Sequence, residues 1–242
     1  MLKQRKKKEL KWDGSHLGSL PRNAVIDKER VKIGRPIRVC EIRVGAVTSL
    51  CLVKKIDSLL PAIFDEIKPI FSLPKIGTHT FRHTGHLMIA LKPQMKNEKI
   101  CPELTLNLFD PYSDKTIIDQ IQLNLAFREV FGISDTHNKS LIVRYNNGSE
   151  IPSVISFLEP GTVAGKEDAL STVIPATLLK RWFHNKSLER AVADLFCLNR
   201  DCPEASLGYY RPLIEDVILR IDPSLITYIS LFFDRLTSFL PY

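Results

Sequence analysis

The chain has no run of about 20 apolar residues, the length a helix needs to cross a bilayer. Its first residues are basic, but no apolar stretch follows them, so the start does not read as a secretory signal. Met1-Leu2 also lacks the glycine that myristoylation requires. Cysteine is sparse, with five residues at 40, 51, 101, 197 and 202, an odd number at irregular spacing. Such a set does not read as a disulfide framework and favours a reducing compartment. Cys197-x4-Cys202 has no second Cys or His pair at zinc spacing, and Cys197 falls on the apolar face of an expected helix, so it reads as a core cysteine. The string Gly161–Asp168 (GTVAGKED) lacks the spacer and the Gly-Lys-Ser/Thr ending of a phosphate loop. No Ser/His/Asp order and no nucleophile elbow is present.

Positive charge is present, but it is concentrated at one end. Lys3, Arg5, Lys6, Lys7, Lys8 and Lys11 face only Glu9 within residues 1–12, a net of +5 out of the chain's +7. The remaining residues carry +2, so the alkaline pI of about 9.1 describes a leader and not a basic body. Three readings of this leader are open. It is a solvated arm, a nuclear-localisation patch, or a segment that binds polyanions (nucleic acid or an anionic membrane face). Trp12 beside it suits stacking on a base or anchoring at a membrane interface. A hydrophobic content of 44% is ample for a sizeable core.

The stretch from His86 to Asp110 organises the reading of the rest. His86–Lys92 is short and β-like and stops at Lys92-Pro93, where the residue before proline is pushed to extended geometry. Leu104, Leu106 and Leu108 alternate with polar residues, the period of a half-buried strand, and Asp110-Pro111 closes it. Upstream, Pro36–Lys55 predicts two short strands or one bent at Gly45. Asp57 is the expected N-cap of an amphipathic helix carrying Leu60, Ile63, Phe64, Ile67, Ile70 and Phe71, with Pro69 straining its last turn. Residues 123–133 (LNLAFREVFGI) alternate and read as a strand, and so do Ser140–Tyr145 and Pro152–Leu158, with a turn at Asn146-Asn-Gly148.

Beyond Glu159-Pro-Gly161 the pattern turns helical. Helices are expected over Pro175–Asn185, after a Ser187 cap, over Arg211–Ile221, and from an Asp222-Pro223 start onward. The last is apolar nearly all round, and Phe232 marks it as core, with an oligomer contact or shallow membrane docking as the other readings. The fold class expected is α+β: a β-sandwich (jelly-roll-like) core with one early helix and a C-terminal helical segment. The expected division is residues 1–35 as a basic flexible arm, 36–160 as a β-rich core, and 161–242 as a helical region packed on the core or mediating self-association.

His79, His83 and His86 lie in a stretch, Ser72–Thr84 and just beyond, that reads as a loop. On a helix their spacing would line one face, but Gly77, Gly85 and the threonines argue against a helix, so surface or strand-end histidines are the better reading and no metal is assigned. The order of a helix with LLPAIF, then Gly85-His-Leu-Met-Ile-Ala-Leu-Lys-Pro93, a polar loop, and Leu104–Asp110 resembles the thirty-kilodalton superfamily of plant viral cell-to-cell movement proteins. Gly85 matches the family's strand-opening glycine, and Leu108 with Asp110 its Leu-x-Asp. The resemblance covers roughly residues 50–145, and Pro111-Tyr112 stand where the family often has a basic residue. Asp110 suits a structural role, accepting backbone N–H bonds and fixing a turn.

The resemblance implies a non-enzymatic viral movement protein without a cofactor. It would bind single-stranded viral nucleic acid regardless of sequence and self-associate as a homo-oligomer. It would act at plasmodesmata and the cell periphery, against host membrane. The six leader cations are the residues suited to backbone neutralisation. The main alternative is a viral matrix protein that binds anionic membrane and nucleocapsid, in the virion or at the inner face of the host membrane. A metal-dependent hydrolase using His79, His83 and His86 is the second alternative.

Overall fold

The computed structural model describes residues 24–32, 37–44, 47–83, 85–91, 98–100, 115–133, 141–145, 152–157, 172–197 and 203–239. The chain divides into two compact units, Met1–Ser58 with Gly77–Met95, and Leu59–Ile76 with Lys96–Tyr242.

The first unit is a five-stranded antiparallel sheet in the order β1-β2-β3-β5-β4. Its strands are β1 (Ala24–Lys32), β2 (Ile37–Val44), β3 (Val47–Lys55), β4 (Thr78–His83) and β5 (His86–Leu91). Of the two readings of Pro36–Lys55, the paired strands hold: Val44 sits opposite Val47, so only Gly45-Ala46 separate β2 from β3, the length of a tight hairpin loop. Ala24–Lys32, inside the stretch read as an arm, pairs along β2 as an edge strand with two register shifts. The Ser72–Thr84 loop is corrected in its second half, where Thr78–His83 forms β4 and pairs residue for residue with β5. Gly85 closes that hairpin with φ +80°, a conformation open to glycine, and a Cβ there would meet nothing within 4 Å. Its role is thus conformational and not one of making space. Val53, Ile56, Phe81, Ile89 and Ala90 are buried, and the Ile56 N–H donates to the Leu87 carbonyl at 3.0 Å.

The second unit overturns the expected β-sandwich: helix predominates over strand, and its core is helical. Its elements are α1 (Leu60–Ile67), α2 (Lys115–Val130), α3 (Ala176–Trp182), α4 (Leu188–Leu195), α5 (Pro203–Ile221) and α6 (Tyr228–Thr237). A three-stranded antiparallel sheet, β6 (Glu98–Ile100), β7 (Leu141–Tyr145) and β8 (Pro152–Phe157), completes it. β7 and β8 bear out the strands expected there.

The expected strand over residues 123–133 is instead the second half of α2 and the turn after it. Ile117, Ile121 and Leu125 stack at four-residue spacing, and the helix is buried almost all round from Ile121 to Val130. An apolar alternation inside a helix enclosed on every side is indistinguishable from a strand until its length is counted. Asp57 is not the cap of α1: Leu59 holds the N-cap position without a side-chain bond, and Pro61 supplies the pre-set φ of the first turn. The helix tightens to a 3-10 turn over Lys68–Phe71, as Pro69 demands, and Ser72 closes it at φ 57°. Ser187 does cap α4, its Oγ accepting from the Arg190 N–H at 3.2 Å. Asp222 caps only a 3-10 turn, Pro223–Leu225, and α6 begins at Tyr228.

Aromatic rings join these helices. Phe127 of α2 and Phe131 in the turn just after it sit 4.4 Å between centroids, and Phe131 meets Phe232 of α6 edge-on at 4.8 Å. Phe64 of α1 lies 6.0 Å from Phe131, and Phe71 4.6 Å from Phe196. Phe232 is 1% exposed, which bears out the core reading of that helix. Phe131→Ala should cost about 3–5 kcal/mol through the cavity it leaves, read as a lowered urea midpoint with unchanged slope.

Candidate functional site

Of the residues singled out by sequence, Gly85, His79 and His86 have described surroundings. His79 is 5% exposed and stacks on Phe81 at 6.3 Å, whereas His86 is exposed. His83 and His86 are register partners across the Gly85 turn. His79 stands four positions from His83 along β4, roughly 13 Å at the strand rise, too far for the three to share one metal ion. Among the described residues no group of three His, Cys, Asp or Glu comes together to hold a metal. Lys3, Arg5, Lys6, Lys7, Lys8, Lys11, Leu108 and Asp110 lie outside the described residues. Cys197 is corrected: it is exposed at φ 45°, past the end of α4, and is not a core residue.

What the sequence reading missed is a polar interior in the helical unit. Asp65, Lys68, Gln122, Asn124, Arg128, Glu129 and Arg235 are all buried. At its centre the Arg235 Nη2 donates to Glu129 Oε1 at 2.7 Å, and Arg235 Nε donates to the Glu129 carbonyl at 2.8 Å. Both side chains are 1% exposed. The backbone N–H groups of Val173 and Ile174 donate to Glu129 Oε2 at 3.0 and 3.1 Å. One carboxylate thus ties α2, α6 and the segment entering α3. A second tie runs from Gln122, whose Nε2 donates to the Trp182 carbonyl and to Asn185 Oδ1 at 2.7 Å. A third has the Ile76 N–H donating to Asp65 Oδ1 at 2.8 Å.

Burial raises the pKa of Glu129 above the ordinary carboxylate value, against the opposing pull of the Ile174 and Val173 N–H groups and of Arg235. Taking the charge out of water therefore outweighs what its partners return. This is the signature of a pair that adds little net stability yet is costly to break. Both carboxylate oxygens are occupied by donors, so Glu129 is placed to fasten and not to take a proton from a substrate. The pocket beside it, lined by Val130, Phe131, Phe196, Ile214 and Phe232 among others, is apolar throughout and offers no group for chemistry. The available signal was a charge inside an apolar window, Arg128-Glu129 in LNLAFREVF and Arg235 in SLFFDRL.

Neither a family model nor a curated protein matches this chain. No helix among the described residues is long and apolar enough to cross a membrane.

Glu129→Ala should destabilise the protein by about 3–5 kcal/mol by stranding a buried guanidinium, while Glu129→Leu with Arg235→Met should recover most of that loss in urea titrations. Tyr210 gives a pH prediction. Burial first, and then Cys197 beside it, push its hydroxyl up to about 12 from the ordinary 10.0. An acid raised on folding contributes stability that is whole below its unfolded pKa and is lost as pH climbs through the folded one. Stability should therefore fall between about pH 10 and 12, and Tyr210→Phe should flatten that fall in denaturant titrations across this range.

Proposed function

We propose that this chain is a non-catalytic, nucleic-acid-binding viral transport protein. In this reading Lys3, Arg5, Lys6, Lys7, Lys8 and Lys11 neutralise the phosphates of a single strand without reading its sequence. The observation that supports it is the placement of charge: +5 of the chain's +7 sits in twelve residues. In its specific form, resting on the resemblance at Gly85, Leu108 and Asp110, the cargo is the viral genome, carried from cell to cell through plasmodesmata by a self-associating protein at the host membrane.

A matrix protein is the second reading, and one observation favours it. The larger unit is helical with one small sheet, where the strand count had pointed to a sandwich, and a compact α+β matrix protein requires no sandwich. A matrix protein would use the same leader on anionic membrane and nucleocapsid.

The test is fluorescence anisotropy of a labelled single-stranded RNA with the full chain and with a chain lacking residues 2–12. If all six cations engage, the slope of log K against log salt should be about −4, at about 0.7 per phosphate on a single strand. The deletion should weaken binding and flatten that slope while leaving the melting transition in place. An unchanged affinity and slope would make the leader a bystander. Tighter binding to anionic vesicles than to RNA would favour the matrix reading.

A further inference from the structure

Cys40 and Cys51 are register partners across the β2–β3 hairpin. The ladder runs one residue at a time from Ile37↔Lys54 to Val44↔Val47 without a register shift, so the two cysteines stand directly opposite each other. Directly paired residues of an antiparallel ladder share one face of the sheet. Their Cα atoms stand about 4.5 or 5.5 Å apart, according to pair type, and a disulfide spans about 4.4–6.8 Å between Cα atoms. The backbone therefore sets this pair of cysteines at bonding distance. Pair type then decides what kind of bond forms. Only Gly45-Ala46 separate the strands, and the pair that flanks a two-residue loop, Val44↔Val47, is a hydrogen-bonded one. Pair types alternate along the ladder, so Ile42↔Ser49 and Cys40↔Cys51 are hydrogen-bonded pairs too. Cβ atoms at such a pair stand about 5.5 Å apart, against about 3.8 Å in a relaxed disulfide. Closing the bond draws the strands together under strain, and strained disulfides are the readily reduced ones.

From this register we infer that Cys40 and Cys51 form a reversible redox site, a dithiol that hydrogen peroxide converts to a cross-strand disulfide. One thiolate attacks a peroxide oxygen; the O–O bond breaks, and the other oxygen leaves as hydroxide and takes up a proton to become water. The first sulfur is now a sulfenic acid. The second sulfur attacks it, the S–O bond breaks, and a second water leaves. Two thiols thereby give two electrons and two protons to one peroxide. A thiol such as reduced glutathione returns the pair to the dithiol by exchange. The resting form in a reducing compartment is the dithiol, in keeping with the sparse and irregular cysteines. Oxidation fastens β2 to β3, the central strand of the five. The site belongs to the sheet unit and does not depend on the nucleic-acid reading.

Tryptic mapping of the full native chain tests it, because cleavage after Arg38, Arg43 and Lys54 leaves Cys40 in peptide 39–43 and Cys51 in peptide 44–54. After brief treatment with hydrogen peroxide, with the remaining thiols blocked before digestion, these peptides should run as one linked species, lighter by two hydrogens than their sum. Incubation with reduced glutathione before blocking should separate them. In urea, where loop closure alone brings thiols together, the yield of this link should fall about tenfold, with the shorter Cys197–Cys202 loop favoured instead. Unlinked peptides in the treated native chain, or links from Cys40 or Cys51 to other cysteines in preference, would overturn the inference. A link formed as well in urea as in the native chain would overturn it too, by removing the role of the register. A bond that glutathione leaves intact would make the pair a permanent staple and overturn the reversible site.

Discussion

The helical unit depends on one ion pair. Glu129 and Arg235 are 106 residues apart in sequence, yet they meet at 2.7 Å with almost no water on either. The Val173 and Ile174 N–H groups complete the carboxylate's bonding, so the pair is satisfied only when three distant stretches have come together. A half-made version is costly: with α6 absent the carboxylate is buried against two amides alone, and with α2 displaced the guanidinium has lost its acceptors. Such an arrangement adds little to the net free energy of folding but penalises every wrong packing of α2 against α6, which is a gain in specificity.

The aromatic cluster makes that penalty large. Phe131 is two residues from Glu129 and Phe232 three from Arg235, and their rings meet edge-on at 4.8 Å. Phe64, Phe71, Phe127 and Phe196 extend the ring network, shedding water from the neighbourhood of the pair. The low local polarity that raises the pKa of Glu129 is thus produced by the same residues that supply the apolar burial. Ionic and hydrophobic parts of this core are a single construction.

How much of this was legible follows from the same residues. β5, β7 and β8 were readable because alternation, proline and turn residues agreed over short spans. The Ser187 cap was readable because a serine stood directly before an apolar stripe at helical spacing. α2 was hidden because Gln122, Asn124, Arg128 and Glu129 occupy its buried side, erasing the contrast that marks a helix, while Leu123, Leu125 and Phe127 mimic a strand. With α2 read as strand, the count of strands pointed to a sandwich. α5 was expected only from Arg211, whereas it runs from Pro203 with Pro212 inside it. The helix tolerates it where the carbonyl left without a donor, that of Gly208, belongs to an exposed turn. Cys197 was taken for core because the stripe of α4 seemed to include it, but the helix ends at Leu195. For function, the charge of the leader was plain in the sequence.

The functional account separates labour within the chain. In the proposed reading the cationic leader supplies non-specific attraction, beside a five-stranded sheet that forms one unit and a helical unit fastened by Glu129 and Arg235. In that reading the chain holds and carries a strand and transforms no substrate. The measurement that tests this most directly is the behaviour of a fluorescent fusion of the full chain in leaf epidermis. The account predicts punctate marking of wall junctions and passage of a co-expressed reporter into neighbouring cells. A reporter confined to the expressing cell, with the fusion spread along the plasma membrane, would contradict it.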